Sequence, residues 1–324
     1  MTKFNKTLLA AALALGSSSA FAVPTFGDNT NDIFFNAFEN QYRTTANCSL
    51  NPGVCLAFNA ANDPIGWQRL NPAIASQALV GDVFAGVIRV QNIDHANGGS
   101  WDSAGGDRFN GYFAQELVGF GTPVGSNATL IFGNPTTDPF GILAAGEMYR
   151  MYTGNVNITA ATGGTTFSQL ASITAQTFWA SLGLDSSNDT YAYSHVDLSL
   201  AGISQTGGEF FTSMNVITEG PSYSAGTLRP VNDLNETITG GTSAAFICSA
   251  AEIASGSVSC ADLVGTAEIE FNASSNVAGG NSPWIFNVND PLKLSRAAVP
   301  EPGTLALLGL GLVGLAGLKR RRNS

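Results

Sequence analysis

Histidine is almost missing from this chain: 324 residues hold two, His95 and His195. No H-E-x-x-H zinc pair can be built from them. No G-x-S-x-G elbow is present; Gly241-Thr242-Ser243-Ala244-Ala245 comes nearest and lacks the final glycine. There is no P-loop and no dinucleotide-binding glycine set. Charge is scarce too, at 12% of residues. Residues 23–298 carry 8 basic and 23 acidic side chains, a net charge of −15. That excludes nucleic acid as a partner, because phosphate binding needs a basic patch. It favours solubility and attracts divalent cations.

Cysteine is limited to Cys48, Cys55, Cys248 and Cys260. No C-x-x-C occurs, and both histidines lie far from any cysteine in sequence, which argues against zinc. The even count and local spacing predict Cys48–Cys55 and Cys248–Cys260 disulfides, although three connectivities are formally open. Long apolar runs are absent from 23–298, as are linker-like stretches and any repeat of fixed period. One extracytoplasmic domain over 23–298 is therefore expected, rich in Gly, Ser, Thr and Asn, the composition of short strands joined by turns.

The two ends differ from this body. At the start, Lys3 and Lys6 precede an apolar Leu8–Leu15, and Ala20-Phe21-Ala22 gives a small-x-small cleavage pattern. This predicts a signal peptide over 1–22, cut by signal peptidase at Ala20 and Ala22; its apolar core is too short to span a membrane. Export places the cysteines in an oxidising compartment.

Period-two alternation predicts strands. Thr266–Ala273 is the cleanest, with Ala267, Ile269, Phe271 and Ala273 on one side. Val83–Ile93, Gly111–Phe120, Met148–Gly154, Tyr191–Leu200, Glu209–Thr218 and Trp284–Asp290 read alike. One segment breaks the pattern. Phe167, Leu170, Ala171, Thr174, Phe178 and Leu182 fall at helical spacing, Thr166 and Gln169 form a capping-box pair, and Gly183 sits where a C-cap glycine belongs. A helix over about 166–182 is expected. The fold class is mainly β: an antiparallel β-sandwich, jelly-roll-like, with one or two short helices and a C-terminal hydrophobic helix.

No catalytic residue set emerges, and no cofactor is required by the pattern. Two ligand readings stand beside plainer ones. Tyr191, Tyr193, His195 and Asp197 alternate on one face of a strand, an arrangement that can hold a sugar ring or, through His195 and Asp197, a metal. The plainer reading is a solvated face rich in tyrosine for its β propensity. Asp94, Asp102 and Asp107 lie among glycines in one loop, where carboxylates can wrap Ca²⁺; the plainer reading is a solvated hairpin tip. Glu268 and Glu270 would suit a glycosidase pair but alternate onto the presumed solvent side of one strand.

The chain closes on Val299-Pro300-Glu301-Pro302, an apolar Gly303–Leu318 and the basic Lys319, Arg320, Arg321 and Arg322. The prolines keep 299–302 extended, a shape suited to a protease cleft. The apolar run has 16 residues, about 24 Å of helix, short of a ~30 Å hydrocarbon core. Its cations stay cytoplasmic by the positive-inside rule. This tail resembles the PEP-CTERM sorting signal of Gram-negative bacteria. The resemblance covers 299–324 only. It implies transient anchoring in the inner membrane, processing by an exosortase, and release to the cell surface or exopolysaccharide matrix, in a family associated with biofilm and floc formation. The resulting expectation is a non-enzymatic structural or adhesive protein. The alternatives are a carbohydrate-binding module, Ca²⁺-dependent or not, with an extracellular polysaccharide as partner, and a polysaccharide hydrolase.

Overall fold

A computed structural model describes residues 29–71, 78–95, 100–103, 106–121, 127–158, 164–184, 190–197, 208–221, 263–269, 271–272 and 283–296, with Pro24 and Tyr223. The signal segment, the 299–324 tail, Cys248 and Cys260 lie outside them. Along the chain come β1 (Asn29–Thr44), α1 (Thr45–Leu50), β2 (Trp67–Arg69), β3 (Val83–His95), β4 (Ser100–Asp102), β5 (Arg108–Phe120), β6 (Asn127–Gly133) and β7 (Tyr149–Gly154). Then follow α2 (Thr166–Thr174), β8 (Thr177–Gly183), β9 (Thr190–Asp197), β10 (Gly208–Glu219), β11 (Leu263–Ile269), β12 (Phe271–Asn272) and β13 (Phe286–Arg296).

The protein is mainly antiparallel β, as expected, but its strands do not divide into two separate sheets. All thirteen belong to one hydrogen-bonded sheet. Its pairings run β1–β13–β11–β10–β8–β7–β5–β3 and return to β1. A second link, β5–β6–β9–β10, runs beside the β7–β8 link. The long strands β5 and β10 make this closure. Arg108–Phe113 of β5 pairs with β7, and Glu116–Phe120 with β6 across an irregularity at Leu117/Gly119. Asn215–Glu219 of β10 pairs with β8, and Glu209–Ser213 with β9. Closure of this kind satisfies backbone groups that an open edge would leave for another chain.

Both faces of the sheet are covered. In β3, Phe84 and Val90 join one buried cluster, with Phe109, Phe113, Leu117, Phe132, Met151, Trp179 and Leu182. Val83, Ala85 and Val87, alternating with them, join the other, with Phe38, Tyr42, Tyr112, Tyr152 and Trp284. Leu170 and Ile173 of α2 belong to this second cluster, so it is the outer layer, and the first lines the inside of the closed sheet. Trp179 is 1% exposed and meets Phe109 edge-on at 5.0 Å. Burying such a ring is worth about 1.5–3 kcal/mol.

The expected helix over 166–182 is only half correct. Helix α2 ends at Thr174, and Thr177–Gly183 forms β8 between β7 and β10. Thr165, not Thr166, is the N-cap, in a reciprocal pair with Ser168. Phe178 and Leu182, which completed the helical stripe, lie in a strand instead. Gly183 is not a helix cap. A Cβ there would overlap the Gly146 carbonyl oxygen, so close backbone approach is what demands glycine. Tertiary pairing overrides the local pattern here.

Candidate functional site

The aspartates singled out for calcium are only partly brought together. Asn92 pairs with Asp102 and Asp94 with Ser100 across the β3–β4 hairpin, so Asp94 and Asp102 share a face. Asn92 Nδ2 donates to Asp94 Oδ1 at 3.1 Å. Asp107 lies outside the hairpin pairing, just before β5. Among the described residues, no group of three or more His, Cys, Asp or Glu has an arrangement that could hold a metal ion.

Strand β9 lies between β6 and β10. Tyr191 pairs with Phe132 and Thr212, and Tyr193 with Leu130. Leu130, Phe132 and Thr212 are all buried. The register slips between Ala128 and Leu130, after which Asp197 meets Asn127. The alternation that placed Tyr191, Tyr193, His195 and Asp197 on one side therefore does not run unbroken along the strand. The side chains of these four residues lie outside the described set, as does that of Glu268, whose position opposes Glu209.

A disulfide joins Cys48 to Cys55, as the spacing predicts, with Cα atoms 5.7 Å apart. It ties α1 to the segment that bridges to Leu70 beyond β2. The Cys48→Ser, Cys55→Ser double variant is expected to lose about 2–3 kcal/mol, the chain-entropy worth of so short a loop. Chemical denaturation of oxidised and variant protein measures it, and unchanged stability would reject the estimate.

The periodicity of the sequence gives no sign of the carboxylates that anchor loops to strands. Asp82 is 1% exposed and accepts from Arg43 Nε at 2.7 Å, Arg43 Nη2 at 2.7 Å, Gln41 Nε2 at 2.7 Å and the Leu79 backbone N–H at 2.8 Å. Asp63 binds Arg69 Nε and the Asn59 N–H, both at 2.7 Å. Glu147 holds Arg150 and the Ala144 N–H. Asp138 accepts from the Tyr112 hydroxyl and from the Ile142 and Leu143 N–H groups. Each carboxylate pins a loop by its backbone N–H groups and fixes it to a strand side chain. These sites have their acceptors filled, which suits anchoring rather than proton transfer.

Glu39 is different. It is 2% exposed on β1, and its Oε1 has no hydrogen-bond partner. Burial raises its pKa to about 8. Opposite it, β3 carries Gly86, where a Cβ would overlap Phe38 O and Glu39 Cβ. A raised carboxyl pKa is a mark of functional sites, yet this group is sealed from solvent.

No helix among the described residues is long and apolar enough to cross a membrane. Neither the curated proteins nor the solved structures offer a match to the chain. The family model of the PEP-CTERM protein-sorting motif matches residues 298–322, so the C-terminal tail is a sorting motif of that family and marks an exported protein processed by an exosortase.

Proposed function

We propose that this is an exported protein, anchored transiently in the inner membrane and then delivered to the cell surface or exopolysaccharide matrix, where its β body serves a structural or adhesive role without catalysis. The motif match at 298–322 carries the reading. Three properties of the body support it. The disulfide suits an oxidising compartment. The net charge of −15 over 23–298 favours solubility outside the cell. The closed sheet limits the strand edges open to unwanted pairing.

Cleavage is expected near Pro300-Glu301-Pro302, with loss of Gly303–Leu318 and the four following cations. Mass spectrometry of the extracellular fraction from the native host reads both mature termini. A start at Val23 and an end close to Pro302 are expected. Finding Lys319 or Arg320 on surface-exposed protein would refute the proposal. Replacing Pro300 and Pro302 by Ala removes the constraint that keeps the peptide extended, and uncleaved protein should then accumulate in the inner membrane.

A further inference from the structure

Five arginine side chains are described, and three follow one rule. Arg43, Arg69 and Arg150 meet Asp82, Asp63 and Glu147 within 4.0 Å, each through Nε at 2.7 Å. Arg43 and Arg150 add Nη2, giving the two-pronged fork that matches a carboxylate. Arg89 and Arg108 break the rule. Neither forms an ion pair with a described carboxylate, in a body where acidic residues outnumber basic ones 23 to 8.

The two lie together on the outer face of the sheet. Arg89 on β3 is directly opposite Asn110 on β5, and Arg108 is two residues from Asn110 on the same side. Each guanidinium is held by its other end. Arg89 Nη1 donates to the Ile158 carbonyl at 3.2 Å. Arg108 Nη1 donates to the carbonyls of Asp107, at 2.7 Å, and Ser103. Asn110 is steadied by Nδ2 donating to Val156 O at 2.7 Å. Those contacts leave the Nε atoms of both arginines buried with no acceptor. Both side chains are half-buried. Burial, and after it the neighbouring Arg108 charge, lowers the Arg89 pKa from its ordinary value. Two adjacent cations, oriented by backbone carbonyls and paired with no carboxylate among the described residues, are an arrangement that like-charge repulsion opposes. An oxyanion between them would remove that cost and give both guanidiniums an anionic acceptor.

We infer that Arg89 and Arg108 form an oxyanion-binding site on the outer sheet face, taking a carboxylate or sulfate group, either free or carried on an acidic polymer. This inference does not depend on the sorting motif or on the proposed destination. Isothermal titration calorimetry of the purified protein at constant ionic strength tests it, with sodium sulfate, galacturonate, polygalacturonate and neutral dextran as probes. Saturable binding of at least one oxyanion and none of dextran is expected. Binding of sulfate or galacturonate identifies a free-anion site; binding of polygalacturonate alone identifies a polymer site. Arg89→Gln and Arg108→Gln should each weaken the bound probe at least tenfold. Arg89→Lys keeps the charge but loses the fork, and should give a smaller loss, which covers the case where a Gln variant fails to fold. Wild-type protein that binds none of the three oxyanions, or variants that bind as tightly as wild type, would overturn the inference.

Discussion

Replacing Asp82 with Ala is expected to cost about 3–5 kcal/mol, enough to unfold many single domains. Asp82 and Arg43 are 1% and 2% exposed at their side chains, and their contact is 2.7 Å. Taking away the carboxylate leaves a guanidinium charge inside the protein with its main acceptor gone. The same change frees Gln41 Nε2 and the Leu79 N–H, so the loop before β3 loses its anchor as well. Replacing both partners, Arg43→Met with Asp82→Leu, should cost much less than either single change, because no uncompensated charge remains. Urea denaturation of the single and double variants gives the coupling directly. A single Asp82→Ala variant within 1 kcal/mol of wild type would show that water reaches this pair.

Glu39→Gln should stabilise the protein, and by an amount that depends on pH. The unfolded chain ionises Glu39 near 4.5, whereas the folded protein keeps the proton to about 8. The native state therefore binds more protons between these values, and stability falls as pH rises through that window. Below about 4.5 the group costs nothing; above about 8 the folded protein carries the buried charge and the loss is complete. At one pKa unit per 1.36 kcal/mol, the penalty at pH 7 is on the order of 3 kcal/mol. The amide of glutamine fills the same space and never ionises, although its oxygen faces the same lack of a partner. The difference in unfolding free energy between variant and wild type should be flat in acid, grow from about pH 4.5, and level near pH 8. Parallel stability curves for the two proteins would mean that Glu39 titrates normally.

Much of the sheet is legible in the sequence wherever one side of a strand is apolar and the other is not. Val83–Ile93, Gly111–Phe120 and Glu209–Thr218 were expected as strands and are β3, β5 and β10 to within a few residues. Strand β1 was not read at all, although it is the longest, at 16 residues. Its buried positions include Asn31, Glu39, Asn40, Gln41 and Arg43, so polarity gives no alternation to detect. Both faces are covered, and hydrogen bonds replace hydrophobicity as the reason Asn40, Gln41 and Arg43 lie inside. The same cause hid the anchoring carboxylates. Asp82 looks like an ordinary turn residue until Arg43, distant in sequence, is placed beside it. The 166–182 stripe failed for another reason. Phe167, Leu170, Ala171 and Thr174 fit a helix, and Phe178 and Leu182 belong to a strand, but their spacing joins them into one false period. The hairpin near 100 was recognisable from its glycines.

The pairing of β1 with β13 has a consequence for how the chain becomes a protein. Asn29 meets Arg296 and Glu39 meets Phe286, so the earliest described strand is built against the last. Such a contact spans nearly the whole described chain and has a large loop-closure entropy to overcome. Ladders of this kind form slowly compared with local hairpins. A chain emerging from a translocation pore exposes β1 first and β13 last. In that interval one side of β1 has no partner, and a row of backbone donors and acceptors stays open to any other extended chain. The unfinished sheet is thus the aggregation-prone species, and its lifetime is set by how long β13 takes to arrive.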